Sequence, residues 1–183
     1  MAAARPQTLA EVEDGVWREL ARAVRDTHHG WRVPVLATVD GEAADARSVV
    51  LRDLDQPTRT LLIYTDARSP KAAQLAAHPQ GTLVLWSEAL AWQLRLRVAL
   101  TLESTGLRVS SRWACLKLTP AAQDYLSPLP PGAELGSAVL ERQSRDHFAV
   151  LAAQVQSVDW LELHPEGHRR ALFSGGGAAW ITP

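Results

Sequence analysis

The chain has 183 residues, 46% hydrophobic and 21% charged, with a formal net charge of -1, which fits one domain with a sizeable core and offers no basic surplus for nucleic acid. No run of about 18 apolar residues could span a bilayer, and Met1-Ala-Ala-Ala-Arg-Pro6 holds no apolar signal core, so a cytoplasmic location is expected. The one cysteine, Cys115, excludes an intrachain disulfide and a thiolate metal cluster and reads as a small apolar residue on a helix face.

Thr8-Leu-Ala-Glu11 has the form of a capping box. Leu9, Val12, Val16, Trp17, Leu20 and Val24 then recur on one helical face, predicting an amphipathic helix over about 8–27 that lies against a barrel or a neighbouring subunit. After His28-His29-Gly30 the pattern alternates: Val33, Val35 and Ala37 lead to an Asp40-Gly41 turn and a strand over 47–53. Strands at 61–65 and 82–86 flank a short helix at 69–77, opened by Pro70 at a tolerated first-turn position. Trp92–Leu102 is the clearest strand. Trp92, Leu94, Leu96, Val98, Leu100 and Leu102 face one way; Gln93, Arg95, Arg97, Ala99 and Thr101 face the other.

From 107 to 127 the signal is helical, with a second helix opening at Thr119-Pro120, and Pro128–Gly132 forms a stiff loop. A further helix is expected at 146–154, then a hairpin of 158–163 with 170–173 and a turn at Gly175–Gly177. Such strands with short helices between them suggest a small closed barrel, because closure removes exposed edges. The reading is one domain over 1–183, a barrel over about 33–183 carrying a helical insertion over about 105–154.

The chemistry concentrates between Ala46 and Val98. Arg47, Arg68 and Lys71 supply fixed positive charge, and Thr65 and Ser69 supply hydroxyls where the helix begins, an arrangement suited to a phosphorylated planar ligand. The six histidines form no metal set: His28-His29 is an adjacent pair, and His164 to His168 spans a Pro/Gly turn best read as a solvated hairpin tip.

Three segments, Arg47-Ser48-Val49-Val50-Leu51-Arg52, Tyr64-Thr65-Asp66-Ala67-Arg68-Ser69-Pro70-Lys71 and Gln93-Leu94-Arg95, together resemble the FMN-binding signature of the pyridoxamine 5'-phosphate oxidase-like flavoproteins. Fainter echoes are Gln143-Ser144, Trp160 and Arg170. The resemblance implies a mainly β fold, an antiparallel FMN-binding split β-barrel of Greek-key type with flanking helices. It implies FMN held by the Arg47–Arg52 segment, with Arg47 and Lys71 on the phosphate and Arg68 and Ser69 beside them. Tyr64 and Thr65 would face the ribityl phosphate, and Gln93 the polar edge of the isoalloxazine. Gln143, Ser144, Trp160 and Arg170 would come from a second subunit, which implies a homodimer with the flavin at its interface. By itself Trp160 on an alternating strand reads as core, and Gln93 as an exposed polar residue.

The substrate half departs from the oxidases proper. Their terminal Arg-x-His pair is absent, the stretch reading Gly167-His168-Arg169-Arg170-Ala171, and their substrate-phosphate clamp gives way to Arg112-Trp113, Tyr125 and Ser127-Pro128. Arg52 stands in place of a lysine, keeping charge but changing geometry. The resemblance therefore implies an FMN-dependent oxidoreductase acting on an unidentified small molecule, and not the oxidase activity itself. A non-catalytic flavin-binding or storage protein, or a split barrel using deazaflavin or haem, stays open; haem would need an axial ligand such as histidine.

Overall fold

Thr8 opens the first helix as expected. In the computed structural model, which describes residues 5–134 and 145–183, the Thr8 hydroxyl accepts from Glu11 N at 3.2 Å and the Glu11 carboxylate accepts from Thr8 N at 3.0 Å. Helix α1 (Leu9–Ala23) buries Val12, Val16, Trp17, Leu20 and Ala23. It stops short of residue 27: Val24 caps it, and Arg25 N turns back to the Arg22 carbonyl at 2.9 Å in a tightened last turn.

Among the described residues nine strands follow: β1 (Val35–Asp40), β2 (Ala43–Ser48), β3 (Leu51–Asp55), β4 (Thr60–Asp66), β5 (Gln80–Ser87), β6 (Trp92–Glu103), β7 (Phe148–Glu162), β8 (Arg169–Ser174) and β9 (Gly177–Ile181), with helices α2 (Pro70–Ala77) and α3 (Leu107–Leu116) and a 3-10 turn at Pro120–Tyr125. All pair antiparallel in one sheet ordered β2-β1-β5-β6-β7-β4-β3, with β8 and β9 branching from β7. The two ends of that path, β2 and β3, form no ladder with each other, so the expected closed barrel is instead a split one. Past the end of β2 the pairing with the segment before β1 continues, Val49 N donating to Pro34 O at 2.9 Å and Leu51 N to Arg32 O at 3.0 Å.

Two other expectations are corrected. The strand read as 47–53 is broken at Val49-Val50 and resumes as β3, with a register shift between Leu51 and Asp53. Residues 146–154 are not a helix. Phe148 to Ala153 are all buried within β7, the sheet's longest strand. Leu151 and Ala153 enter the main core with α1, while Phe148, Val150 and Ala152 enter a second cluster roofed by Val109, Leu116 and Ala122. A strand covered on both faces shows no alternation, so periodicity cannot separate it from a buried helix.

Gly81 marks a close crossing, since a Cβ there would lie 2.8 Å from the Ala37 carbonyl. No helix among the described residues is long and apolar enough to cross a membrane, which says nothing about strands.

Candidate functional site

The pairing of β1 with β2 sets Arg47 opposite Leu36, and alternation places Asp45, Arg47 and the buried Thr38 on one face. Helix α2 packs there and contributes Gln74. Arg47 Nη1 donates to Thr38 Oγ1 at 2.5 Å, and Nη2 donates to Gln74 Oε1 at 3.0 Å and to the Asp45 carboxylate. Ser69 precedes the first turn of α2 in extended backbone, Pro70 opens it, and Lys71 Nζ donates to Ser69 Oγ at 3.1 Å. Burial pushes the Lys71 pKa down, and the neighbouring Arg47 charge pushes it further, against a partial pull from Asp66 and Asp45. Two cations thus converge beside the positive end of a helix dipole, a donor set whose chemistry fits a phosphate group.

The remaining signature residues divide. Val49 and Leu51 bury their side chains beside the split, Val50 is half-buried, and Ser48 is exposed at the end of β2. Thr65 is buried on β4. Arg68 does not turn toward Arg47 and Lys71. Its guanidinium and backbone hold the buried Asp66, with Arg68 N and Nη2 each 2.7 Å from the carboxylate, and Nη atoms donate to the carbonyls of Ser127 and Pro128 at 2.9 Å and Leu129 at 3.2 Å. It pins the 127–129 loop.

Arg52 and Tyr64 lie in a second basic cluster. The Arg52 guanidinium sits 5.8 Å over the Tyr64 ring and reaches Tyr125 Oη at 3.4 Å, while Arg112 from α3 pairs with Asp53 at 2.6 Å. The Nε atoms of Arg52 and Arg112 are both buried without a hydrogen-bond partner. Burial raises the Tyr64 pKa, opposed by the charges of Arg112 and Arg52. The sequence gives no sign that Arg112 and Tyr125 meet Arg52, because four elements separated by up to 73 residues supply the cluster.

Gln93 on β6 faces outward, opposite Leu161 and Trp86, and Arg170 on β8 lies beyond Leu161 on that face. Trp160 does not join them. It is fully buried, edge-to-face with Trp92 at 5.3 Å and with Trp180 at 6.1 Å. Strand alternation puts neighbours on opposite faces, so the outward place beside Gln93 belongs to Leu161. Gln143 and Ser144 lie outside the described residues.

Arg170 donates to Asp159 Oδ1 at 2.9 Å and Oδ2 at 2.7 Å, and Arg95 Nε donates to the same carboxylate at 3.2 Å. The Arg170 bond, then those from Arg95, hold the Asp159 pKa below its ordinary 3.8. A depressed carboxylate stabilises the fold fully above that ordinary value and loses its contribution as pH falls through the folded-state pKa. Asp159→Asn is therefore expected to lower stability at pH 7 by about 1 kcal/mol. Urea midpoints of the two proteins should converge below pH 3.8; a constant gap would show that Asp159 acts through packing alone.

Among the described residues no group of three or more His, Cys, Asp or Glu is placed to hold a metal. His164 N donates to His168 Nδ1 at 3.1 Å in the expected hairpin tip. Cys115 is exposed rather than packed. The sequence reading missed Thr38, Asp45 and Gln74, which complete the Arg47 environment. Asp45 was detectable at two residues before Arg47 on one strand face, and Gln74 three after Lys71 on one helix face.

Residues 14–103 match the family model described as pyridoxamine 5'-phosphate oxidase, FMN-binding domain. A pyridoxine/pyridoxamine 5'-phosphate oxidase of Caulobacter vibrioides (strain NA1000 / CB15N) is 31% identical over 161 residues, 80% of this chain and 72% of that protein. A protein of the same description from Azorhizobium caulinodans is 43% identical over 63 residues, 34% of this chain and 29% of its own length. Among solved structures, a pyridoxamine 5'-phosphate oxidase-related, FMN binding protein from Nostoc punctiforme PCC 73102 superposes with a TM-score of 0.73 at 25% identity, over 92% of this chain and 96% of that one.

Proposed function

Because this chain belongs to the FMN-binding pyridoxamine 5'-phosphate oxidase family, we propose that it binds FMN and acts as a flavin-dependent oxidoreductase on a small molecule other than the substrate of the oxidases proper. The observation that carries this reading is the convergence of Arg47 and Lys71 at the start of α2, with Lys71 buried enough to lose part of its hold on a proton. A lysine kept half-buried beside an arginine costs stability, and a dianionic phosphate offsets that cost.

When bound, the flavin would supply the electron chemistry, and the protein would supply binding, orientation and exclusion of water. Arg47 and Lys71 would hold the phosphate, with Ser69 orienting the lysine. Gln93 would offer its amide to the polar edge of the ring. Arg52 and Arg112, whose Nε donors lack partners, would favour a substrate bearing a carboxylate or phosphate.

The outward face that carries Gln93 and Arg170 also exposes Val35, Val39, Trp86, Leu172 and Ile181, with Trp86 at 44%. These apolar side chains, set among the polar ones of the same face, support a homodimer with the cofactor at its interface. The purified protein is expected to be yellow and to elute at twice the 20.0 kDa chain mass. Trp86→Glu is expected to yield monomers that lose most of their flavin. A colourless protein that takes up no added FMN would overturn the cofactor reading, and a flavin-loaded Trp86→Glu monomer the interface reading.

A further inference from the structure

Arg47 carries five N–H donors, and the protein engages both of its Nη atoms. Nη1 donates to Thr38 Oγ1 at 2.5 Å and to the Leu36 carbonyl at 3.4 Å; Nη2 donates to Gln74 Oε1 at 3.0 Å and to Asp45. A phosphate can take this guanidinium through two parallel bonds only if one of those acceptors leaves.

Three of the four are fixed. The Leu36 carbonyl belongs to β1, and Thr38 and Gln74 are buried and bonded to each other at 2.7 Å. Asp45 is different. It lies on β2, an end strand of the sheet, with its side chain 42% exposed, and its carboxylate also accepts from Gln74 Nε2 at 2.8 Å and from the Ala46 backbone N–H. The bond from Gln74, then those from Arg47, hold the Asp45 pKa below the usual carboxylate range, so it is ionised at neutral pH.

We propose that Asp45 is a built-in competitor for the phosphate seat, holding the Arg47 guanidinium until a phosphate displaces it. This rests on the reading that Arg47 and Lys71 take the FMN phosphate. The arrangement makes the seat selective by charge. A phosphate dianion replacing a carboxylate brings one more negative charge to Arg47 and Lys71, whereas a ligand carboxylate brings none and gains little. Once displaced, Asp45 can swing to solvent because, among the described residues, β2 is the last strand at its end of the sheet.

The test compares wild type with Asp45→Asn and Asp45→Ala, using FMN and its phosphate-free counterpart riboflavin as probes. Binding is read from quenching of flavin fluorescence at low and high salt, and folding from melting temperature. In both variants FMN should bind about three- to tenfold more tightly and riboflavin unchanged, with the FMN gain shrinking as salt screens the lost repulsion. Unchanged FMN binding would overturn the proposal. So would weaker binding in both variants, which would make Asp45 a positioning residue that aims Arg47 at the ligand. If wild type binds FMN no better than riboflavin, or binds neither, the phosphate seat itself is refuted and the proposal falls with it. A wild type that prefers FMN while the variants show no gain refutes only the competitor role.

Discussion

Lys71→Met is expected to weaken FMN binding by about ten- to hundredfold, the loss of one charge-assisted bond to phosphate, while raising the stability of the flavin-free protein by about 0.5–1 kcal/mol. The two signs follow from one cause. Lys71 is half-buried and faces Arg47, so its charged form is disfavoured in the folded chain and its pKa falls below the ordinary 10.5. Between the depressed value and 10.5 the unfolded chain binds more protons than the folded one, so stability rises with pH across that window. Phosphate affinity moves the other way, because it needs the ammonium. Thermal melts and FMN titrations in that range should therefore diverge for wild type and run flat for Lys71→Met. Arg47→Ala supplies the contrast: it should weaken FMN as much, yet destabilise the protein by about 1–3 kcal/mol, because the buried Thr38 Oγ1 loses its donor and Gln74 Oε1 keeps only the Thr38 hydroxyl. Parallel stability losses in both variants would show that Lys71 is structural.

The largest loss of stability is expected from Trp160→Ala, about 3–5 kcal/mol, or a fall in Tm of about 6–20 °C for a chain of this size. Trp160 is fully buried between Trp92 and Trp180, with the Arg169 guanidinium 5.9 Å from its ring. Its Nε1 is buried without a partner, so Trp160→Phe removes an unsatisfied donor along with some volume and should cost much less. FMN affinity separates the two roles suggested for this position. A core residue changed to phenylalanine leaves affinity intact in the folded protein, whereas Leu161→Ala, on the face of Gln93 and Arg170, should lower it. Loss of flavin from a stably folded Trp160→Phe protein would place the indole at the cofactor after all.

That contrast shows where sequence reading stops. The capping box at Thr8, the alternation of β6 and the order of the signature segments were legible because each depends on residues close together in the chain. The faces of Trp160 and Arg170 were not, since the resemblance aligned both to one ligand without stating the register of β7 against β8. Arg68 was legible as a charge, but its direction is decided by a loop sixty residues away. Phe148–Ala153 looked helical because α3 and the Pro120 turn cover its second face, a tertiary fact that no local pattern carries. The break at Val49-Val50 and the strand β9 were likewise invisible, as neither shows a sustained period.

The central place of β7 bears on how the chain reaches its fold during synthesis. Strands β4 and β6 flank β7 through residues 148–154 and 150–162 respectively. Strand β6 ends at Glu103 and β4 at Asp66, whereas β7 begins only at Phe148, so on the ribosome β6 waits about 45 residues and β4 about 80 for their shared neighbour, roughly 2–16 s at ordinary elongation rates. During that interval two long apolar edges stand open to other nascent chains. A fragment ending after β6 would keep them open permanently, so the segment that the family model matches cannot complete this sheet by itself.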